Sequence, residues 1–154
     1  LPDLKYASGE LATRYSSAAD YPAPAKEALA EMVRQAGPPV FDDRGMMKRG
    51  VIVRHLVLPG CVYDSNDVLE YLHDTWGEQI QVSLMSQYTP LPHVRDFPEL
   101  DRRVTKEEYR EVVEYALFLG MKQVYVQMED CARESFIPAF DCRGIQRPAG
   151  LEDR

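Results

Sequence analysis

The run Lys48-Arg-Gly-Val-Ile-Val-Arg-His-Leu-Val-Leu-Pro, followed by Gly60, places an arginine and a histidine inside an otherwise apolar stretch. Its β-branched and leucine-rich composition, closed by Pro-Gly, predicts a strand over residues 48–59 buried on both faces, as in a parallel sheet. Such a strand tolerates Arg54 only where a carboxylate, a phosphate or solvent receives the charge. Arg54 is therefore either a ligand contact or the partner of an acidic residue on a neighbouring strand. His55 alternates to the opposite side and reads as a hydrogen-bonded structural histidine. Asp3, Lys5, Arg54, Gln87 and Tyr88 all stand on or just beyond expected strands. Charges of both signs with hydrogen-bonding partners suit a zwitterionic ligand bearing an amino group, a carboxylate and hydroxyls, and they equally suit a network of structural ion pairs. Cys61 lies just past a strand end, where a reactive thiol can sit, but no base is identified for it.

The elements that position these residues alternate. A short helix is expected over 9–15. A second helix, approached through 21–24, carries Ala25, Leu29, Met32, Val33 and Ala36 at helical spacing and ends at Gly37-Pro-Pro. Asp-Asp-Arg-Gly in 42–45 marks the turn of a hairpin. Beyond Gly60, Asp64 is the expected N-cap of a helix carrying Val68, Leu69, Leu72 and Trp76. A strand follows over 79–85, and then a proline-rich loop. Thr105 and Glu108 form a capping box for a helix with Tyr109, Val112, Val113, Ala116 and Leu117, and a last strand spans 122–127. Strands alternating with helices predict an α/β domain of parallel βα units, with functional groups at the C-terminal ends of the strands. The domain is expected over 1–140, with 141–154 an irregular tail containing Cys142.

Composition bounds the partners. The 154 residues carry a net charge of -7, and the absence of a basic stripe argues against nucleic acid. Three cysteines, Cys61, Cys131 and Cys142, include no C-x-x-C pair, which suits free thiols in a reducing cytoplasm and supplies no closed metal site. Asp-Ser-Asn-Asp in 64–67 lacks the glycine and glutamate of a calcium loop. No apolar run is long enough to span a bilayer, so no membrane partner is expected. The chain opens on Leu-Pro-Asp-Leu-Lys-Tyr, as if on the closing half of a strand.

Asp3-Leu-Lys5-Tyr, residues 48–60, and Val82-Ser-Leu-Met-Ser-Gln87-Tyr88 together resemble the C-terminal half of the radical S-adenosylmethionine (SAM) proteins related to pyruvate formate-lyase activating enzyme. The resemblance runs from Leu1 to about Phe140. It implies the later strands of an incomplete TIM-like barrel. The C-x-x-x-C-x-x-C loop that holds the family's 4Fe-4S cluster, and the glycine-rich turn that receives the methionine end of SAM, do not occur in this chain. By resemblance, Lys5 of the Asp-x-Lys pair faces the SAM carboxylate and Arg54 serves the same polar end. Tyr88 or Gln87 stands where the activating enzymes place a histidine near the ribose. The implied activity of the complete protein is reductive cleavage of SAM followed by hydrogen-atom abstraction, which requires an electron donor and, in an activating enzyme, a protein substrate. The implied partner of this chain is the missing N-terminal half of the barrel. The alternative is a non-catalytic half-barrel that binds a small ligand or a partner protein. A covered first edge of the sheet would favour the alternative, and an open apolar cleft would favour the enzyme.

Overall fold

The structure is a computed structural model and describes residues 1–127; the expected tail, Cys131 and Cys142 lie outside the described residues. In chain order the elements are α1 (Gly9–Ser16), α2 (Pro22–Ala36), β1 (Val40–Phe41), β2 (Met47–Arg49), β3 (Ile52–Leu56), α3 (Val62–Trp76), β4 (Gln81–Met85), α4 (Lys106–Phe118) and β5 (Val124–Val126). Strands β3, β4 and β5 lie side by side in that order, all parallel, with Arg54 level with Ser83 and Ser83 level with Tyr125. The opening segment, residues 1–6, joins as a fourth strand-like edge beside β3. Arg54 N donates to Pro2 O at 2.8 Å and Leu4 N donates to Arg54 O at 3.0 Å, so Asp3 sits alongside Arg54. The fold is α/β with a parallel sheet, as the alternation predicts.

The expected strand over 48–59 is divided. Met47–Arg49 belongs to a small antiparallel hairpin with β1, and only Ile52–Leu56 enters the main sheet. Gly50 makes the break: its φ of 126° lies in glycine territory, and a Cβ there would stand 2.8 Å from Pro39 Cα. Nor is β3 buried on both faces. Val53 and His55 are buried, whereas Ile52, Arg54 and Leu56 are half-buried.

The asymmetry runs through the whole sheet. Leu4, Val53, Val57, Val82 and Leu84 point to one side and share a core with Leu29 and Val33 of α2, Val68, Leu69 and Leu72 of α3, and Val112 and Ala116 of α4. The residues of opposite parity, Ile52, Arg54, Leu56, Ser83, Met85 and Tyr125, stand outside that core. Parallel sheets are ordinarily covered on both faces; here the described helices seal one. Met32 and Leu117, both expected on buried faces, are 42% and 68% exposed, so the buried stripes of α2 and α4 are narrower than their apolar residues suggest.

Asp64 does not cap its own helix, which begins two residues earlier at Val62. Its carboxylate instead accepts from Ser8 N at 2.7 Å and Ala7 N at 3.3 Å, tying α3 to the turn that starts α1. The Thr105–Glu108 capping box is present as expected. Among the described residues no helix is long and apolar enough to cross a membrane.

Candidate functional site

The polar centre of the sheet is built by register. Asp3 and Arg54 are neighbours across two strands, and Arg54 Nε donates to Asp3 Oδ1 at 2.6 Å. The acidic partner that the sequence left open for Arg54 is thus Asp3 itself. The pair is half-exposed, at 43% for the Arg54 side chain and 30% for that of Asp3. Lys5, two residues on from Asp3, lies on the same side of the edge segment. It is exposed, and its ammonium makes no ion pair with any described residue. Asp3, Lys5 and Arg54 therefore present one carboxylate and two cations on the face that no described helix covers.

These groups lie mid-strand. Arg54 is the central residue of β3, level with Ser83, and the half-exposed Tyr125 is level with Ser83 on the far side. Below this layer, Ile52 is level with the buried Gln81, whose side-chain amide donates to Gln123. Above it, Leu56 is level with Met85.

Gln87 and Tyr88 belong elsewhere. Gln87 stands two residues beyond the end of β4. It bonds Gln127, whose Nε2 donates to Gln87 Oε1 at 3.4 Å, while Ser86 N donates to Gln127 Oε1 at 2.9 Å. The Tyr88 hydroxyl donates to Leu100 O at 3.0 Å in the long loop, and burial raises its pKa. Of the five expected residues, the structure joins Asp3 with Arg54, adds Lys5 to their face, and sets Gln87 and Tyr88 in separate surroundings at the C-terminal end.

Cys61 occupies an acidic, aromatic corner. It is buried, and burial raises its thiol pKa, with Asp64, Glu99 and Glu108 adding to the effect against the Tyr15 hydroxyl, which lowers it. Tyr15 donates to Glu99 at 2.8 Å, and Arg14 pairs with the same carboxylate at 2.6 Å. A thiol so placed stays protonated and is a poor nucleophile.

Two tyrosines carry roles that sequence reasoning missed. Tyr109 on α4 donates to Leu84 O and accepts from Gln127 N, both at 2.9 Å, so its hydroxyl stands inside the β4–β5 ladder where Gln127 N would otherwise meet Leu84 O. Tyr21 donates to Asp3 O at 3.1 Å and accepts from Lys5 N at 2.9 Å on the outer edge of the opening segment. No local pattern announces either, because the partners lie 18 or 16 residues away for Tyr21 and 25 or 18 for Tyr109.

The donor set suits a zwitterion better than a metal. Among the described residues no group of three or more His, Cys, Asp or Glu side chains is placed to hold an ion. A carboxylate would find Lys5 and the free N–H groups of Arg54, and an ammonium would find the free oxygen of Asp3. Comparison with protein-family models, curated proteins and solved structures finds no match for this chain.

Proposed function

We propose that this chain forms the later strands of a radical SAM-type barrel, resembling glycyl-radical activating enzymes, and contributes the wall that receives the amino-acid end of SAM. The observation that carries the reading is the two-sided character of the sheet. Four strand positions run parallel in sequence order, one face is sealed by helices, and the other presents Asp3, Lys5 and Arg54 among Ser83 and Tyr125. An incomplete barrel has this construction, with an apolar outside under helices and layers of mixed side chains inside.

On this reading Lys5 holds the SAM carboxylate and Asp3 its ammonium. Arg54 orients Asp3 through its Nε–H while offering its other N–H groups to the carboxylate. SAM, when bound, supplies the sulfonium whose cleavage begins the family's chemistry. The described residues do not fit an iron–sulfur cluster, since their single cysteine is buried among acids, and the part they play is confined to binding and orienting SAM. The cluster ligands belong to the other half of the barrel, and an activating enzyme's protein substrate and electron donor complete the proposal. A reducing cytoplasm is the compartment it implies.

The test is SAM affinity in the complete barrel protein, this chain together with its N-terminal half. Arg54→Ala is expected to weaken binding by about 1.5–3 kcal/mol, the value of a charge-assisted contact. Unchanged affinity, with the fold intact, would leave Arg54 as a structural partner of Asp3 alone.

One observation favours the second reading, a non-catalytic half-barrel. The first edge of the sheet is covered at Asp3 and Lys5 by Tyr21, where a preceding strand would have to pair. A protein of that kind would bind a small zwitterion or a partner on the same polar face and hold no cluster.

A further inference from the structure

The turn after β3, Pro59-Gly60-Cys61, lies against residues 97–102 of the long loop between β4 and α4. A Cβ built on Gly60 would stand 3.5 Å from Glu99 Cβ and 4.0 Å from Arg102 Nη2, so these two side chains sit over the turn. Each is clamped to a different helix. Glu99 accepts from the Tyr15 hydroxyl at 2.8 Å and pairs with the Arg14 guanidinium at 2.6 Å, both on α1, and the Tyr15 ring meets Phe97 edge-on at 5.3 Å. Arg102 gives its two Nη groups to Glu108 of α4 at 2.8 and 2.7 Å, and Glu108 also accepts from Gly60 N at 2.8 Å. Charge, more than apolar burial, fastens the segment. Within residues 97–102 Leu100 alone is buried, and the Arg14 and Arg102 side chains are 53% and 41% exposed. At the root of the loop the Tyr88 hydroxyl donates to Leu100 O. The adjacent Thr89 is 8% exposed, and its Oγ1 is buried with no hydrogen-bond partner among the described residues. A buried hydroxyl without a partner destabilises the state that buries it, so the closed loop carries a penalty that opening removes.

We propose that residues 97–102 are a strap that opens while the sheet stays folded, uncovering the Pro59-Gly60-Cys61 turn at the C-terminal end of β3. That end of an open α/β sheet is where ligands enter. Exposed ion pairs contribute little each and are screened by salt. The fastening is therefore weak beside the core that α2, α3 and α4 share with the sheet. A segment with few buried apolar groups and closing contacts at the surface belongs to the low-stability end of a fold, where local opening precedes global unfolding. Glu99 and Arg102 stand three residues apart, so a strap that lifts releases α1 and α4 together. Cys61 is the reporter of that motion. It is 8% exposed, and a thiol reagent reaches it only when the strap lifts or the chain unfolds. The strap is independent of the SAM reading, because its opening is read on this chain's own thiol with no SAM present.

The experiment is alkylation of the full, reduced chain by N-ethylmaleimide at urea concentrations below the unfolding transition. Peptide mass spectrometry separates Cys61 from Cys131 and Cys142, and the rates are corrected for the thiolate fraction from their pH profile. Wild-type Cys61 is expected to react more slowly than a free peptide thiol, at a rate that scarcely changes with urea, because a local opening exposes little surface. Glu99→Gln, which removes the charge paired with Arg14, is expected to speed labelling about three- to fivefold. Thr89→Val, which removes the buried hydroxyl and keeps the shape, is expected to slow it about fivefold. A rate that climbs with urea as steeply as global unfolding, a wild-type thiol as reactive as a free peptide, or either variant labelled at the wild-type rate would overturn the proposal. If a variant does not fold, the urea dependence of the wild-type chain decides between local and global opening.

Discussion

His55 illustrates how much one buried polar residue does in this sheet. Its Nδ1 lies 2.8 Å from Leu4 O, which can only accept, so Nδ1 carries the proton, and Nε2 receives the Ser65 hydroxyl at 2.9 Å. The ring therefore ties the opening segment, β3 and α3 together while neutral. Burial drives its pKa below the ordinary 6.5, with the bond to Leu4 O opposing. The unfolded chain then takes up a proton at this position before the folded one does. Stability contributed by His55 is whole above pH 6.5 and falls as the pH drops below it, by at most about 1.4 kcal/mol per pH unit. Glu108 behaves in the same direction at lower pH. Its bonds to Arg102 and to the backbone of Thr105 and Gly60 hold it at about 2, so its contribution is lost from about 4.5 downward. Urea midpoints measured from pH 8 to pH 5 should be level above neutrality and decline below pH 6.5. His55→Gln, which keeps one donor and one acceptor, should flatten the decline between pH 6.5 and 5; an unchanged slope in that variant would place the titration elsewhere.

Helices and strands obey more local rules, and much of them was legible. Thr105 and Glu108 announce the start of α4, and the structure bonds both halves of the box, Thr105 Oγ1 accepting from Glu108 N at 3.1 Å and Glu108 accepting from Thr105 N at 2.9 Å. Thr105→Ala should cost about 1 kcal/mol, read as a fall in thermal or urea stability, and a variant as stable as the wild type would show that the Thr105 hydroxyl contributes nothing to the start of α4. Glycines after α2 and α3 and the apolar periodicity of α3 likewise locate those helices from sequence. The division at Gly50 was not legible, because a glycine inside an apolar run specifies neither a bulge nor a break until Pro39 is found against it. Nor was the function of Asp64. Its position before an apolar helix has the pattern of an N-cap, but the backbone it serves belongs to Ala7 and Ser8, 57 and 56 residues away. Among site residues, the Asp3–Arg54 pairing follows from parallel register once the opening segment is known to lie beside β3. The separation of Gln87 and Tyr88 from that pair depends on the fold of the loop after β4, which residue type does not fix.

At the scale of the whole molecule, the sheet has an inside and an outside. Helices α2, α3 and α4 share one core against Leu4, Val53, Val82 and Leu84, and the charged centre lies on the other face, held by register. On the proposed reading, the uncovered polar face and the sequential parallel order belong to the later half of a barrel whose interior receives SAM, whereas the first edge guarded by Tyr21 favours a half-barrel. The polar face alone also suits a half-barrel that binds a small zwitterion, so the two accounts part company over what is joined to the opening segment. Reading the native transcript upstream of Leu1 and translating it in frame tests this most directly. The barrel account predicts a C-x-x-x-C-x-x-C followed by a glycine-rich turn in that frame. A stop codon or an unrelated sequence there would contradict it and leave the half-barrel as the better description.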